Sequence, residues 1–86
     1  MDIESYLTDL KLFFNDILIS GVDNMPLSVV KKLKFYSEFS RNYNLFTLSS
    51  LIEDFITKEN SRSKIFIDIS IWLDIAIIEF ESISVE

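Results

Sequence analysis

Cysteine and histidine are both absent from this 86-residue chain, which holds a single glycine and a single proline. Without cysteine there is no disulfide framework, no thiolate metal site and no redox pair. Without histidine, Ser-His-Asp and Cys-His arrangements and the usual zinc sites cannot be assembled. A carboxylate-bridged di-metal site of the helical-bundle kind loses half its ligands for the same reason. One glycine is too few for a phosphate-cradling loop of either the P-loop or the dinucleotide type. Carboxylate pairs remain, but in Glu53–Asp54 and Glu79/Glu81 the members stand one or two helical positions apart and point in different directions. The sequence therefore reads as a protein that is not an enzyme and uses no cofactor or metal.

Long hydrophobic runs are missing as well. The longest apolar region, residues 65–80, falls short of the ~20 residues a membrane helix needs and is interrupted by Asp68, Asp74 and Glu79, so no membrane span is expected. The N-terminus "MDIESYLTDLKLFF" opens with acids rather than basic residues, so no signal peptide is expected either. A chain without cysteine fits a reducing cytosol, and the expected location is cytoplasmic. Basic residues are few: 8 Lys and Arg against 14 Asp and Glu give a net charge of −6. That balance disfavours nucleic acid as the main partner and favours a protein with a basic surface.

What is present is a core. Hydrophobic residues make up 49% of the chain and charged residues 26%, which suits one soluble domain over residues 1–86. The lone glycine and proline both fall in "SGVDNMP", residues 20–26, marking a helix stop at Gly21 and a restart at Pro26. Before that break, Ile3, Leu10 and Ile17 recur every seven residues, with Tyr6, Phe13, Leu7 and Phe14 in the adjacent rows and Asp2 as a cap. After it, Val29, Leu33, Tyr36, Phe39 and Tyr43 share one broad face, opposite Lys31, Lys34, Glu38 and Arg41. Leu48, Leu51, Ile52, Phe55 and Ile56 then match an amphipathic helical template. Thr47 is expected to cap that helix, and Ser50 and Glu53 stand at capping-box spacing. "KENSRS" reads as a polar loop of about six residues.

The C-terminal third, "SKIFIDISIWLDIAIIEF", poses a conflict. Every odd position from 65 to 77 is Ile or Leu, the pattern of a half-buried strand. As a strand it would span 13 residues, against the usual ~5–6, and no other segment alternates to pair with it. As a helix it satisfies its own backbone, and β-branched residues lower helix propensity by only tenths of a kcal/mol each. The helix reading leaves two apolar faces. One holds Ile65, Ile69, Trp72, Leu73, Ala76 and Phe80; the other holds Ile67, Ile71, Ile75 and Ile78. Either this helix is central in the fold, or one face meets another chain.

The expected architecture is all-α: a single-domain, antiparallel up-and-down bundle of four helices at about 2–20, 26–42, 47–59 and 63–83. For function, charge distribution carries the most information. Residues 1–25 hold Lys11 against Asp2, Glu4, Asp9, Asp16 and Asp23, a net of −4. Residues 26–45 hold Lys31, Lys32, Lys34 and Arg41 against Glu38, a net of +3. Asp2, Asp9, Asp16 and Asp23 recur at seven-residue intervals. They form either an ordinary solvated flank partly neutralised by the basic second helix, or a carboxylate row that docks on a basic cleft. The four cations of the second helix are too few for a nucleic-acid footprint. The line Phe35, Phe39, Tyr43 and Phe46 is read as core.

Candidate partner-binding residues are therefore Asp2, Asp9, Asp16 and Asp23, the row Ile67, Ile71, Ile75 and Ile78, and the aromatic anchors Tyr43 and Trp72. Two functions follow. The first is a small acidic protein that masks a basic, nuclease-like toxin, as an immunity protein or antitoxin does. The second is a structural or adaptor module that forms a homodimer through the isoleucine face.

Overall fold

Backbone hydrogen bonding resolves the conflict in the C-terminal third: residues 62–85 form one uninterrupted helix. The computed structural model describes residues 3–23 and 25–85, with side chains as far as Phe80. Four helices account for most of it: α1 (Ile3–Ser20), α2 (Leu27–Asn42), α3 (Phe46–Thr57) and α4 (Arg62–Val85). A 3-10 turn at Glu59–Ser61 precedes α4, and no strand occurs among the described residues. At 1.5 Å rise per residue, α4 is about 36 Å long. It sets the long dimension of a body measuring 41 × 23 × 19 Å.

Local chemistry explains each break. Gly21 ends α1 at φ 100°, a left-handed conformation that costs glycine nothing. Pro26 (φ −67°) precedes α2, and its carbonyl accepts the amides of Val29 and Val30 at 3.0 and 3.2 Å. α2 ends in a Schellman motif. Asn44 takes φ 64°, its amide donates to Arg41 O at 3.0 Å, and the Leu45 amide donates to Ser40 O at 2.8 Å.

Two expectations about α3 are corrected. It starts at Phe46 with Leu45 at the N-cap position and no side-chain cap, so Thr47 does not cap it. Ser50 and Glu53 lie inside the helix, and Glu53 accepts from Arg41 Nη2 at 2.9 Å and Ser37 Oγ at 3.2 Å instead. The Schellman turn leads directly into α3, leaving no room for a capping box. The six-residue loop is also shorter than its polarity implied. α3 stops at Thr57, two residues early, and only Lys58 lies outside helical structure before α4.

Arg62 makes that tight connection possible. Its Nε donates to Phe55 O at 3.0 Å and its Nη2 to Ile56 O at 2.9 Å, satisfying carbonyls in the last turn of α3. Arg62→Ala is expected to cost about 1.5–3 kcal/mol in urea denaturation, the usual worth of hydrogen bonds to a charged donor. Arg62→Lys should recover only part, because an ammonium lacks the planar fork that reaches two carbonyls at once.

One core cluster draws on all four helices: Tyr6, Leu7, Leu10, Phe14 and Ile17 from α1, Leu33 and Tyr36 from α2, Leu48, Ile52 and Phe55 from α3, and Ile65, Phe66, Ile69, Leu73 and Ala76 from α4. Phe66 was absent from both expected apolar faces, yet it is buried among the rings of Phe14 and Phe55. α2 packs on α3 across small residues, with Ser37 and Ser49 buried and their hydroxyls 3.0 Å apart. α1 meets α2 differently, through long aromatic side chains: Tyr6 on Phe39 at 4.4 Å and Phe13 on Tyr36 at 5.4 Å between centroids.

Candidate interaction surfaces

Of the two apolar faces of α4, the fold covers one. Ile65, Ile69, Leu73 and Ala76 are buried, whereas Ile67, Ile71, Ile75 and Ile78 are 57, 53, 54 and 61% exposed. The central-helix explanation for the second face is therefore excluded, since none of the other helices packs over it. Four isoleucines on one helical stripe form a continuous apolar strip, the kind of patch that marks a contact site. Its borders are charged. Lys64, Asp68 and Glu79 are exposed on one side and Asp74 on the other. Asp74 is bound to Lys11 of α1, which marks the seam between α1 and α4. Trp72 is half-buried, packed against the core, and lines a cleft with Ile75, Ala76 and Glu79.

The carboxylate row occupies a different side. Asp9 and Asp16 are exposed. They sit one turn from Tyr6 and Phe13, the α1 residues that touch α2, so they border the α1–α2 seam and not the α1–α4 seam marked by Lys11. Asp23 leaves the row: it follows the Gly21 turn and shares a surface depression with Glu59 and Arg62. Asp2 lies outside the described residues. Acidic row and isoleucine strip are thus two surfaces, and the carboxylates that rim the strip belong to α4 itself.

Neutralisation of the row by the basic second helix does not occur through ion pairs. Among the described residues, Asp9, Asp16 and Asp23 make no salt bridge within 4.0 Å; the pairs formed are Lys11–Asp74, Arg41–Glu53 and Lys58–Asp54. Lys32, the α2 cation nearest the seam, instead lies over the rings of Phe13 at 4.8 Å and Tyr36 at 5.9 Å from the centroids. Asp16 and Lys32 both line a cleft of about 260 Å³, together with Phe13, Met25 and Val29.

Of the aromatic line only Phe39 packs against the core. Phe35, Tyr43 and Phe46 are 59, 42 and 58% exposed. Phe35, Phe39 and Tyr43 stack as a ladder along the α1-facing edge of α2, with centroid spacings of 6.0 and 4.8 Å, while Phe46 belongs to α3. Tyr43 ends α2 at φ −94°, ψ 12° and carries the last rung. The reason is positional: Leu33, Tyr36, Ser37 and Ser40 take the core-facing arc of α2, which displaces the ladder to its flank.

The buried serines were missed because hydropathy patterns give small polar residues no weight. Tyr6 Oη donates to Tyr36 O at 2.7 Å, which uses its only proton, so the Ser40 hydroxyl, also at 2.7 Å, donates to Tyr6. Burial, against the smaller opposing effect of the Ser40 bond, pushes the Tyr6 phenol from 10.0 up to about 12. Every buried side-chain polar atom among the described residues is hydrogen-bonded. The network is structural, holding α1 against α2.

No described helix is long and apolar enough to cross a membrane, and no cluster of three or more carboxylates that could hold a metal occurs among the described residues. No protein-family model matches the chain, and no curated protein or solved structure is similar to it.

Proposed function

We propose that this chain is a cytoplasmic, antiparallel up-and-down four-helix bundle that masks a basic protein, in the manner of an immunity protein or antitoxin on a nuclease-like toxin. The observation that carries this reading is the carboxylate row of α1: among the described residues Asp9 and Asp16 stay exposed and form no salt bridge, although a helix bearing three lysines runs alongside. Charges left uncompensated within the chain are available to a partner. The ladder Phe35, Phe39 and Tyr43 supports the same reading, because it flanks that row across the seam. Carboxylates beside aromatic faces suit arginine and lysine side chains, which take an ion pair from one and a cation–π contact from the other. A surface that holds phosphate in a nuclease presents such cations. The net charge of −6 adds long-range attraction toward them.

The test is a search of the adjacent reading frames for a basic product, followed by its coexpression with this chain and titration of the purified pair. A 1:1 complex that weakens with salt and silences the partner's nuclease activity is expected. Asp9→Lys combined with Asp16→Lys should slow association about 10- to 100-fold while leaving helix content unchanged, since exposed charges act mainly on the on-rate. Failure of the basic neighbour to bind, or binding indifferent to the double reversal, overturns the masking role.

A further inference from the structure

The geometry points to a second copy of this chain as the occupant of the isoleucine strip, paired antiparallel through α4 about a two-fold axis at Ile71. This inference stands apart from the masking role, because strip and carboxylate row lie on different sides of the molecule.

Self-complementarity is the reason. In a two-fold antiparallel pair, residues equidistant from the axis on opposite sides of it face each other. With the axis beside Ile71, Ile67 of each copy faces Ile75 of the other, and Ile71 meets its own mate. Ile78 packs between Ile67 and the methylene stem of Lys64 from the second copy. The charges then match. Lys64 and Glu79 lie on the same side of the strip, near its two ends, and both are exposed and form no salt bridge among the described residues. The two-fold places Lys64 of each copy beside Glu79 of the other, giving two equivalent ion pairs. A near-parallel axis crossing of ~20° keeps both ends within reach of those long side chains.

The remaining carboxylates do not oppose this arrangement. Asp74, on the other border, is already bound to Lys11. The two Asp68 residues fall on opposite sides of the axis, about 9 Å apart along the helices, where salt screens their repulsion. A two-fold parallel pairing sets the side bearing Lys64 and Glu79 against the Asp74 border of the other copy and leaves Lys64 and Glu79 at opposite ends of the interface, so the ion pairs form only in the antiparallel arrangement.

Area places this contact at the small end of specific interfaces. Four half-exposed isoleucines give a patch of several hundred Å² per copy. Doubled, with the flanking stems, it reaches about 1,000 Å², the lower limit of a specific interface. Association is therefore weak and reversible, with a dissociation constant in the micromolar range.

Sedimentation equilibrium from about 1 μM to 1 mM tests the pairing. The wild-type chain should pass from monomer to dimer across that range, and a chain that stays monomeric throughout overturns the proposal. Ile71→Asp, which sets two carboxylates against each other on the axis, should weaken association at least 100-fold with the circular dichroism spectrum unchanged. A dimer that survives it is built on some other surface. Lys64→Glu and Glu79→Lys should each weaken association several-fold to about tenfold, and the two together should restore it. Absence of that rescue overturns the antiparallel register.

Discussion

Phe14→Ala is expected to remove a large part of the stability of this fold, lowering the free energy of unfolding by about 3–5 kcal/mol. Phe14 is 1% exposed and is the residue at which three helices meet. Its ring stands edge-on to Phe55 of α3 at 5.4 Å and to Phe66 of α4 at 6.0 Å, and those two lie 6.3 Å apart. Removing the ring forfeits burial, two edge-to-face contacts and the packing of every neighbour around the space left behind. A chain of this length has a total stability of only about 4–13 kcal/mol. The variant should therefore melt roughly 15–30 °C below the parent or fail to fold at 37 °C. Phe35→Ala is the control of equal chemistry: that ring is 59% exposed, and its loss should change stability by less than about 1 kcal/mol. Thermal and urea denaturation of both variants measure the difference. Similar costs at the two positions would contradict the distinction between core and flank.

How far this arrangement is legible in the sequence depends on whether the signal is local. The seven-residue recurrence of Ile3, Leu10 and Ile17 places α1 because one helix alone generates it. Gly21 and Pro26 place the break because the glycine supplies the positive φ and the proline preorganises the next turn. The alternation from 65 to 77 misleads only while read as a period of two. At 100° per residue the same isoleucines fall into two stripes, and the structure buries one and leaves the other bare.

Non-local choices are less legible. Phe35, Tyr36, Phe39 and Tyr43 cover a broad arc of α2, and the buried part is decided by where α1 lies, which no feature of α2 states. Lys32 settles on two rings rather than on a carboxylate because Phe13 and Tyr36 converge beneath it, a juxtaposition of residues from two helices. The early start of α3 had a local signal in Asn44, a residue that tolerates the left-handed conformation on which a Schellman stop depends. Surface identity thus follows from two kinds of information. The isoleucine strip is a property of one helix, while the acidic–aromatic seam exists only once α1 and α2 are brought together.

That seam is held by Tyr6, and Tyr6→Phe should reveal it through pH. Near neutrality the variant loses the bond to Tyr36 O and the one from Ser40, so it should be about 1–2 kcal/mol less stable than the parent. The phenol is neutral when protonated, and burial raises its folded value from 10.0 to about 12. Below pH 10 it is protonated in both the folded and the unfolded chain, and the advantage of the parent is undiminished. Above pH 10 the unfolded chain ionises first, so the stability contributed by Tyr6 declines as pH rises toward 12, by about 2–3 kcal/mol in total. Phenylalanine cannot ionise, and the remaining tyrosines and lysines are common to both proteins, so the difference between them isolates this one group. Urea denaturation from pH 8 to about 11.5 should show a constant gap up to pH 10 that closes near pH 11. A gap independent of pH would mean that water reaches the phenol, and that the contact between α1 and α2 is looser than a buried hydroxyl donating to a helix carbonyl requires.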